Sequence, residues 1–83
     1  MKVLYFAWLR QHTGVGEETV SPPPSVRDVA GLVAWLRTRG PGYAEALKDL
    51  SAIRVAVNQE FAAVDAAISP DDEIALFPPM TGG

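Results

Sequence analysis

Two stretches of this chain, Val3–Leu9 near its start and Ile74–Phe77 near its end, are apolar at odd and even positions alike. A strand points successive side chains to opposite faces, so such a run must meet something dry on both sides. Aromatic and β-branched residues (Val3, Tyr5, Phe6, Trp8) favour a strand over a helix, and residues 2–10 therefore read as an interior strand. Val3, Tyr5 and Leu9 are assigned to one face, with Leu4, Phe6, Trp8 and Arg10 on the other. The 83 residues suit one small domain, which buries only about 60–65% of the surface its unfolded chain exposes. No cysteine is present, so neither a disulfide nor a thiolate can help.

Between these strands the punctuation is clear. His12–Gly16 reads as a hairpin turn with His12 solvated, and Glu17–Val20 as a short edge strand ended by Pro22, Pro23 and Pro24. Ser25 stands where it could cap a helix whose apolar stripe is Val26, Val29, Ala30, Val33 and Leu36, with Trp35 at the core's edge. Arg37 and Arg39 suit its C-terminal end, and Gly40-Pro41-Gly42 stops it. A second short helix is expected near 43–48. Ile53–Asn58 alternates as a half-buried strand. Gln59-Glu60 connects it to a very short one at Phe61-Ala62. Ser69–Asp72 is a turn, and Asp71, Asp72 and Glu73 read as its solvated acids rather than a metal site. The order predicts an α+β fold: a mixed sheet with its helix on one face.

One face of that sheet then has no cover. Val55, Val57, Ile74 and Leu76 join Val3, Tyr5 and Leu9 under the helix. Leu4, Phe6, Trp8, Ala75 and Phe77 stand on the other side. Open aromatics of this kind are typical interface anchors, so Phe6, Trp8, Arg10 and Phe77 are the expected partner-docking residues.

Residues 1–77 form the expected domain and 78–83 a flexible tail, Pro78-Pro79-Met80-Thr81-Gly82-Gly83. The prolines leave the ladder and favour an extended conformation. Five residues beyond Pro78 reach roughly 15–18 Å. Gly82 and Gly83 can enter a channel that any Cβ would block, carrying a carboxylate at the tip. Seven basic against ten acidic residues, a net charge of −3, argue against nucleic acid as the main partner. The N-terminal apolar run is too short to span a bilayer, so the expected location is the cytoplasm. Gly14-Val15-Gly16 lacks the third glycine of a phosphate-binding loop, and no self-contained catalytic constellation is visible.

Val3–Arg10, Val55-Ala56-Val57-Asn58-Gln59 and above all Asp71–Gly83, with Phe77-Pro78-Pro79 followed by Gly82-Gly83, resemble the small-subunit family of molybdopterin synthases. Asp72 stands at a position where that family usually has glycine, and Gln11 where it usually has Glu. The resemblance implies the β-grasp (ubiquitin-like) fold and a sulfur carrier that is no enzyme by itself. It implies that an ATP-dependent adenylating enzyme activates the Gly83 carboxylate and that a sulfur donor protein converts it to a thiocarboxylate. The large synthase subunit would then hold the catalytic groups and direct the sulfur to cyclic pyranopterin monophosphate in molybdenum cofactor biosynthesis. No cofactor or metal is implied as a permanent resident. Carriage for thiamine, cysteine or tRNA thiolation, protein modification through Gly83, and a non-covalent interaction module are the alternatives.

Overall fold

A computed structural model describes residues 1–79; Met80, Thr81, Gly82 and Gly83, all expected site residues, lie outside the described residues. Five strands form one mixed sheet: β1 (Lys2–Tyr5), β2 (Glu17–Thr19), β3 (Arg54–Val57), β4 (Glu60–Ala62) and β5 (Glu73–Phe77), in the order β2-β1-β5-β3-β4. β1 and β5 run parallel, Tyr5 opposite Leu76, and the other neighbours pair antiparallel. This is the α+β, β-grasp arrangement that the chain's resemblance implies. Among the described residues there are also three α-helices, α1 (Trp8–Thr13), α2 (Val29–Leu36) and α3 (Pro41–Ala46).

The core lies between α2 and one sheet face. Val3, Tyr5, Val55, Ile74 and Leu76 are buried from the sheet, and Val57 is half-buried beside them. From α2 come Val29, Leu32, Val33 and Leu36. Leu32 thus widens the stripe, while Val26 and Ala30 are only half-buried. Trp35 packs at the core's edge, with the Arg39 guanidinium 5.3 Å from its ring centre.

Three sequence expectations need correction. The strand expected over residues 2–10 ends at Tyr5: Leu9 N–H donates to the Phe6 carbonyl at 3.2 Å, closing a turn that leads into α1. Leu9 is fully buried, but as a helical residue. A short apolar run satisfies a strand or a buried helix equally, and here it is split between them. His12 accordingly sits in the last turn of α1, and Gly14 (φ 83°) caps that helix rather than making a hairpin turn. Second, Asp28 rather than Ser25 is the N-cap of α2, its Oδ1 accepting Gly31 N–H at 2.7 Å. The N–H groups of Val29 and Ala30, which no helix can satisfy from within, donate to the carbonyls of Ala66 and Val64. The loop after β4 therefore fixes where α2 begins. Third, Gly40-Pro41-Gly42 does not merely stop a helix. A 3₁₀ turn (Arg37–Arg39) closes α2, and Pro41 opens α3 with the φ its ring imposes. Asp72, at the position where the family usually has glycine, has no positive φ. Non-glycine positive φ falls at Ala7, Asn58 and Gln59 among the described residues.

Close approach decides one further position. α3 crosses α1 so tightly that a Cβ on Gly42 would collide with the His12 carbonyl oxygen. Asn58 and Gln59 make the tight β3–β4 connection, and Ala7 (φ 54°, ψ −132°) sits in the turn before α1. Alanine there carries strain on the order of 1–3 kcal/mol.

Glu18, on the edge strand β2, ties the layers together. Its Oε2 accepts the hydroxyls of Tyr5 (2.9 Å) and Tyr43 (2.8 Å), and its Oε1 pairs with Arg39 at 3.0 Å. Tyr5 also meets Tyr43 edge-on at 6.0 Å between centroids. Burial, and then the hydrogen bond to Glu18, push the Tyr5 phenol well above its ordinary value of about 10. The unfolded chain releases that proton at lower pH than the folded one, so this contribution to stability is intact below about pH 10 and lost above it. Tyr5→Phe should cost about 1–3 kcal/mol at neutral pH, through the lost bond to a carboxylate. It should also flatten the alkaline fall in stability by up to about 1.4 kcal/mol per pH unit. Urea titrations on either side of pH 10 measure both effects; equal alkaline slopes in the two proteins would contradict this.

Candidate functional site

The helix-free face of the sheet is built by the residues that alternate with the core. Pairing Leu4 with Ala75, Ala75 with Ala56 and Ala56 with Phe61 draws an apolar row across four strands. One pleat further on, Phe6 N–H donates to the Leu76 carbonyl at 3.1 Å, extending the parallel ladder and setting Phe6 level with Phe77. Arg54 stands opposite Phe77 on the other flank. Phe6 is 47% exposed and Phe61 83% exposed, so neither contributes to the core.

Pro78 and Pro79 leave β5 beside these aromatics. A groove of about 450 Å³ is lined entirely by apolar residues: Phe6, Ala7, Ala75, Phe77, Pro78 and Pro79. Both prolines are half-buried, so the root of the expected tail lies against the sheet before the chain passes beyond the described residues. Proline there offers no N–H to continue pairing with β1 or β3, and the ladder must end at Phe77.

The expected docking residues divide. Phe6 and Phe77 meet in this groove. Arg10, although helical, lines the adjoining hollow with Leu4, Phe6 and Glu17, and its guanidinium lies beside Gly16. Trp8 does not join them. Once the chain turns at Ala7, strand alternation no longer applies, and Trp8 instead packs edge-on against His12 at 6.3 Å on α1. Phe61 was missed in the sequence. It tilts against Phe77 with centroids 5.9 Å apart and continues the apolar surface onto β4. An aromatic in the three-residue strand after a tight turn is a weak signal, but its alternation with half-buried Ala62 points it outward.

The acidic turn before β5 is satisfied internally. Asp72 accepts Ser69 N–H at 2.7 Å and Asn58 Nδ2–H at 2.9 Å, and the side-chain bond to Asn58 followed by the Ser69 bond lowers its pKa. Among the described residues no three His, Cys, Asp or Glu side chains are grouped to hold a metal ion, and no helix is long and apolar enough to cross a membrane.

The two sheet faces should respond differently to the same kind of truncation. Phe61→Ser should change stability by no more than about 0.5 kcal/mol, because that ring is already in water. Leu76→Ala, on the buried face of β5, should cost about 2–5 kcal/mol. Thermal melts of both variants decide this; a large loss for Phe61→Ser would place its ring in the core.

Relatives bear on what this surface serves. The chain is 38% identical to the molybdopterin synthase sulfur carrier subunit of Homo sapiens, over 100% of this chain and 93% of that one. It is 34% identical to the subunit of the same name in Escherichia coli, over 100% and 99%. In structure it matches SAMP1 from Haloferax volcanii with a TM-score of 0.73 and 29% identity, covering 100% of this chain and 98% of the other. The ThiS family model matches residues 3–83, spanning the sheet, the groove and the expected tail, and the chain belongs to the ThiS family.

Proposed function

We propose that this protein is the sulfur carrier subunit of a molybdopterin synthase, working in the cytoplasm as a co-substrate that is spent and recharged. The observation that carries the reading is the open aromatic surface of Phe6, Phe61 and Phe77 at the root of the Pro78-Pro79 segment, in a chain whose curated relatives are carriers by name. An uncovered patch of this kind is unfavourable in water and is matched by a complementary apolar surface on a partner. The large synthase subunit and the adenylating enzyme are the proposed partners, each receiving the tail while seated on this face.

The chemistry follows from the tail's composition. A carboxylate is a poor acyl donor because its leaving group would be oxide. The Gly83 carboxylate would attack the α-phosphate of ATP, releasing pyrophosphate and forming an acyl adenylate. The terminal sulfur of a persulfide on a donor protein would then attack the acyl carbon and expel AMP. A second thiol would cleave the resulting acyl disulfide, leaving the thiocarboxylate on Gly83 and a disulfide on the donor side. Two such carriers would supply the two sulfurs of the dithiolene formed on cyclic pyranopterin monophosphate. Met80, Thr81, Gly82 and Gly83 would form the inserted segment, and the catalytic groups for transfer would belong to the large subunit.

A second reading is protein modification through the same terminal carboxylate, favoured by the 25% identity and TM-score of 0.68 to Haloferax volcanii small archaeal modifier protein 1. One experiment separates the two. The chain is incubated with its adenylating enzyme, ATP and a sulfur donor, then weighed intact, and the large subunit and pterin precursor are added. The carrier reading requires one oxygen to be replaced by sulfur and the dithiolene to form. A variant with one residue added after Gly83 should show neither while melting at the same temperature. Dithiolene formation by that extended variant would overturn the mechanism, and lysine-linked conjugates without it would favour the modifier.

A further inference from the structure

The turn between β1 and α1 contains an unexplained cost. Leu9 N–H donates to the Phe6 carbonyl, and Ala7, at φ 54° and ψ −132°, occupies the first central position of what is geometrically a type II′ turn. That position favours glycine, because a Cβ at positive φ crowds the backbone. Asn58 and Gln59 share the positive φ, but they form the tight β3–β4 connection, whose geometry demands it. The turn demands positive φ of Ala7 as well, yet alanine stands where glycine would meet that demand without strain, and its methyl contributes nothing to the core, because the residue is exposed. What surrounds it is the docking groove: Ala7 stands in the wall that includes Phe6, Phe77, Pro78 and Pro79, and also in the adjoining hollow with Arg10.

We propose that Ala7 is a positioning residue for docking: it restricts the turn so that Phe6 is held beside the tail root and Arg10 in the adjoining hollow for the large synthase subunit, at the expense of the carrier's own stability. The inference rests on the proposed carrier function. Its physical content is pre-organisation. Glycine would relax the turn, but it would admit other backbone states and let Phe6 leave its place beside Phe77, a loss recovered only on binding. Ala7 is too small to be an anchor itself. It acts through the residues on either side of the turn, whose carbonyls it orients: Phe6 O accepts Leu9 N–H, and Ala7 O accepts Arg10 N–H at 3.1 Å.

Stability and affinity should therefore move in opposite directions, which a merely structural role would not produce. Ala7→Gly should melt at or above the temperature of the parent chain, exchange the Leu9 amide faster, and bind the purified large subunit roughly three- to tenfold more weakly by calorimetry. A lower melting temperature would show that no strain is released, and unchanged affinity would show that the turn does not position the face; either overturns the proposal. Phe77→Asp in the same titration keeps the two claims apart. If Phe77→Asp abolishes binding while Ala7→Gly leaves it intact, only the role of Ala7 fails. If Phe77→Asp binds as the parent does, the docking face itself is misassigned.

Discussion

The parallel pairing of β1 with β5 is the interaction on which the rest of the molecule depends. Parallel neighbours need a crossover, and here nearly the whole intervening chain supplies it, wrapping α2 over one face of the sheet. The pairing buries Val3 beside Ile74 and Tyr5 beside Leu76. By the same register it puts Leu4 beside Ala75 and carries Phe6 to Phe77 on the opposite face. The core and the open face are thus alternate residues along the same two chain segments, Val3, Tyr5, Ile74 and Leu76 on one side and Leu4, Phe6, Ala75 and Phe77 on the other. A slip of one residue would exchange them, exposing the core set and burying the aromatics.

This division explains an otherwise wasteful use of apolar residues. Burying a phenylalanine side chain is worth about 1.5–3 kcal/mol, and a domain this small has little stability to spare. Yet Phe6 and Phe61 remain largely in water, while the buried face is closed by aliphatic side chains and Tyr5. Glu18 offsets part of the shortage by gathering Tyr5, Tyr43 and Arg39 onto one carboxylate at the sheet's edge. In the proposed carrier role the forgone burial would become binding energy once the large subunit covers the face. Pro78 and Pro79 set the direction in which the chain leaves it.

Legibility in the sequence followed the strength of local signals. The core faces of β1, β3 and β5 could be read because alternation of Val55 and Val57, or of Ile74 and Leu76, has a fixed period. The same logic misplaced Trp8 and Leu9. Ala7 carries no turn signature, so nothing in the letters announces that β1 stops and a helix begins. Ser25 and Asp28 are both capable caps, and the choice was made by carbonyls of the loop at Val64 and Ala66, distant in sequence. Phe61 and Glu18 were invisible for a related reason: each lies in a three-residue strand, and its importance comes from partners on other strands or helices. Phe6 and Phe77 could be assigned to the open face because the alternation of β1 carries one residue past its end to Phe6 and that of β5 reaches Phe77. The family resemblance concentrated in the last block, where Phe77, Pro78 and Pro79 bring together the end of a strand and the wall of the groove.

The central claim is that a partner covers the helix-free face of the sheet. Its most direct test is amide chemical-shift mapping of the labelled chain during titration with the large synthase subunit. The account requires the largest changes at Leu4, Phe6, Phe61, Ala75 and Phe77, with the amides of α2 nearly still. Changes centred instead on α2, or on the proline-rich segment at Pro22–Pro24, would contradict it.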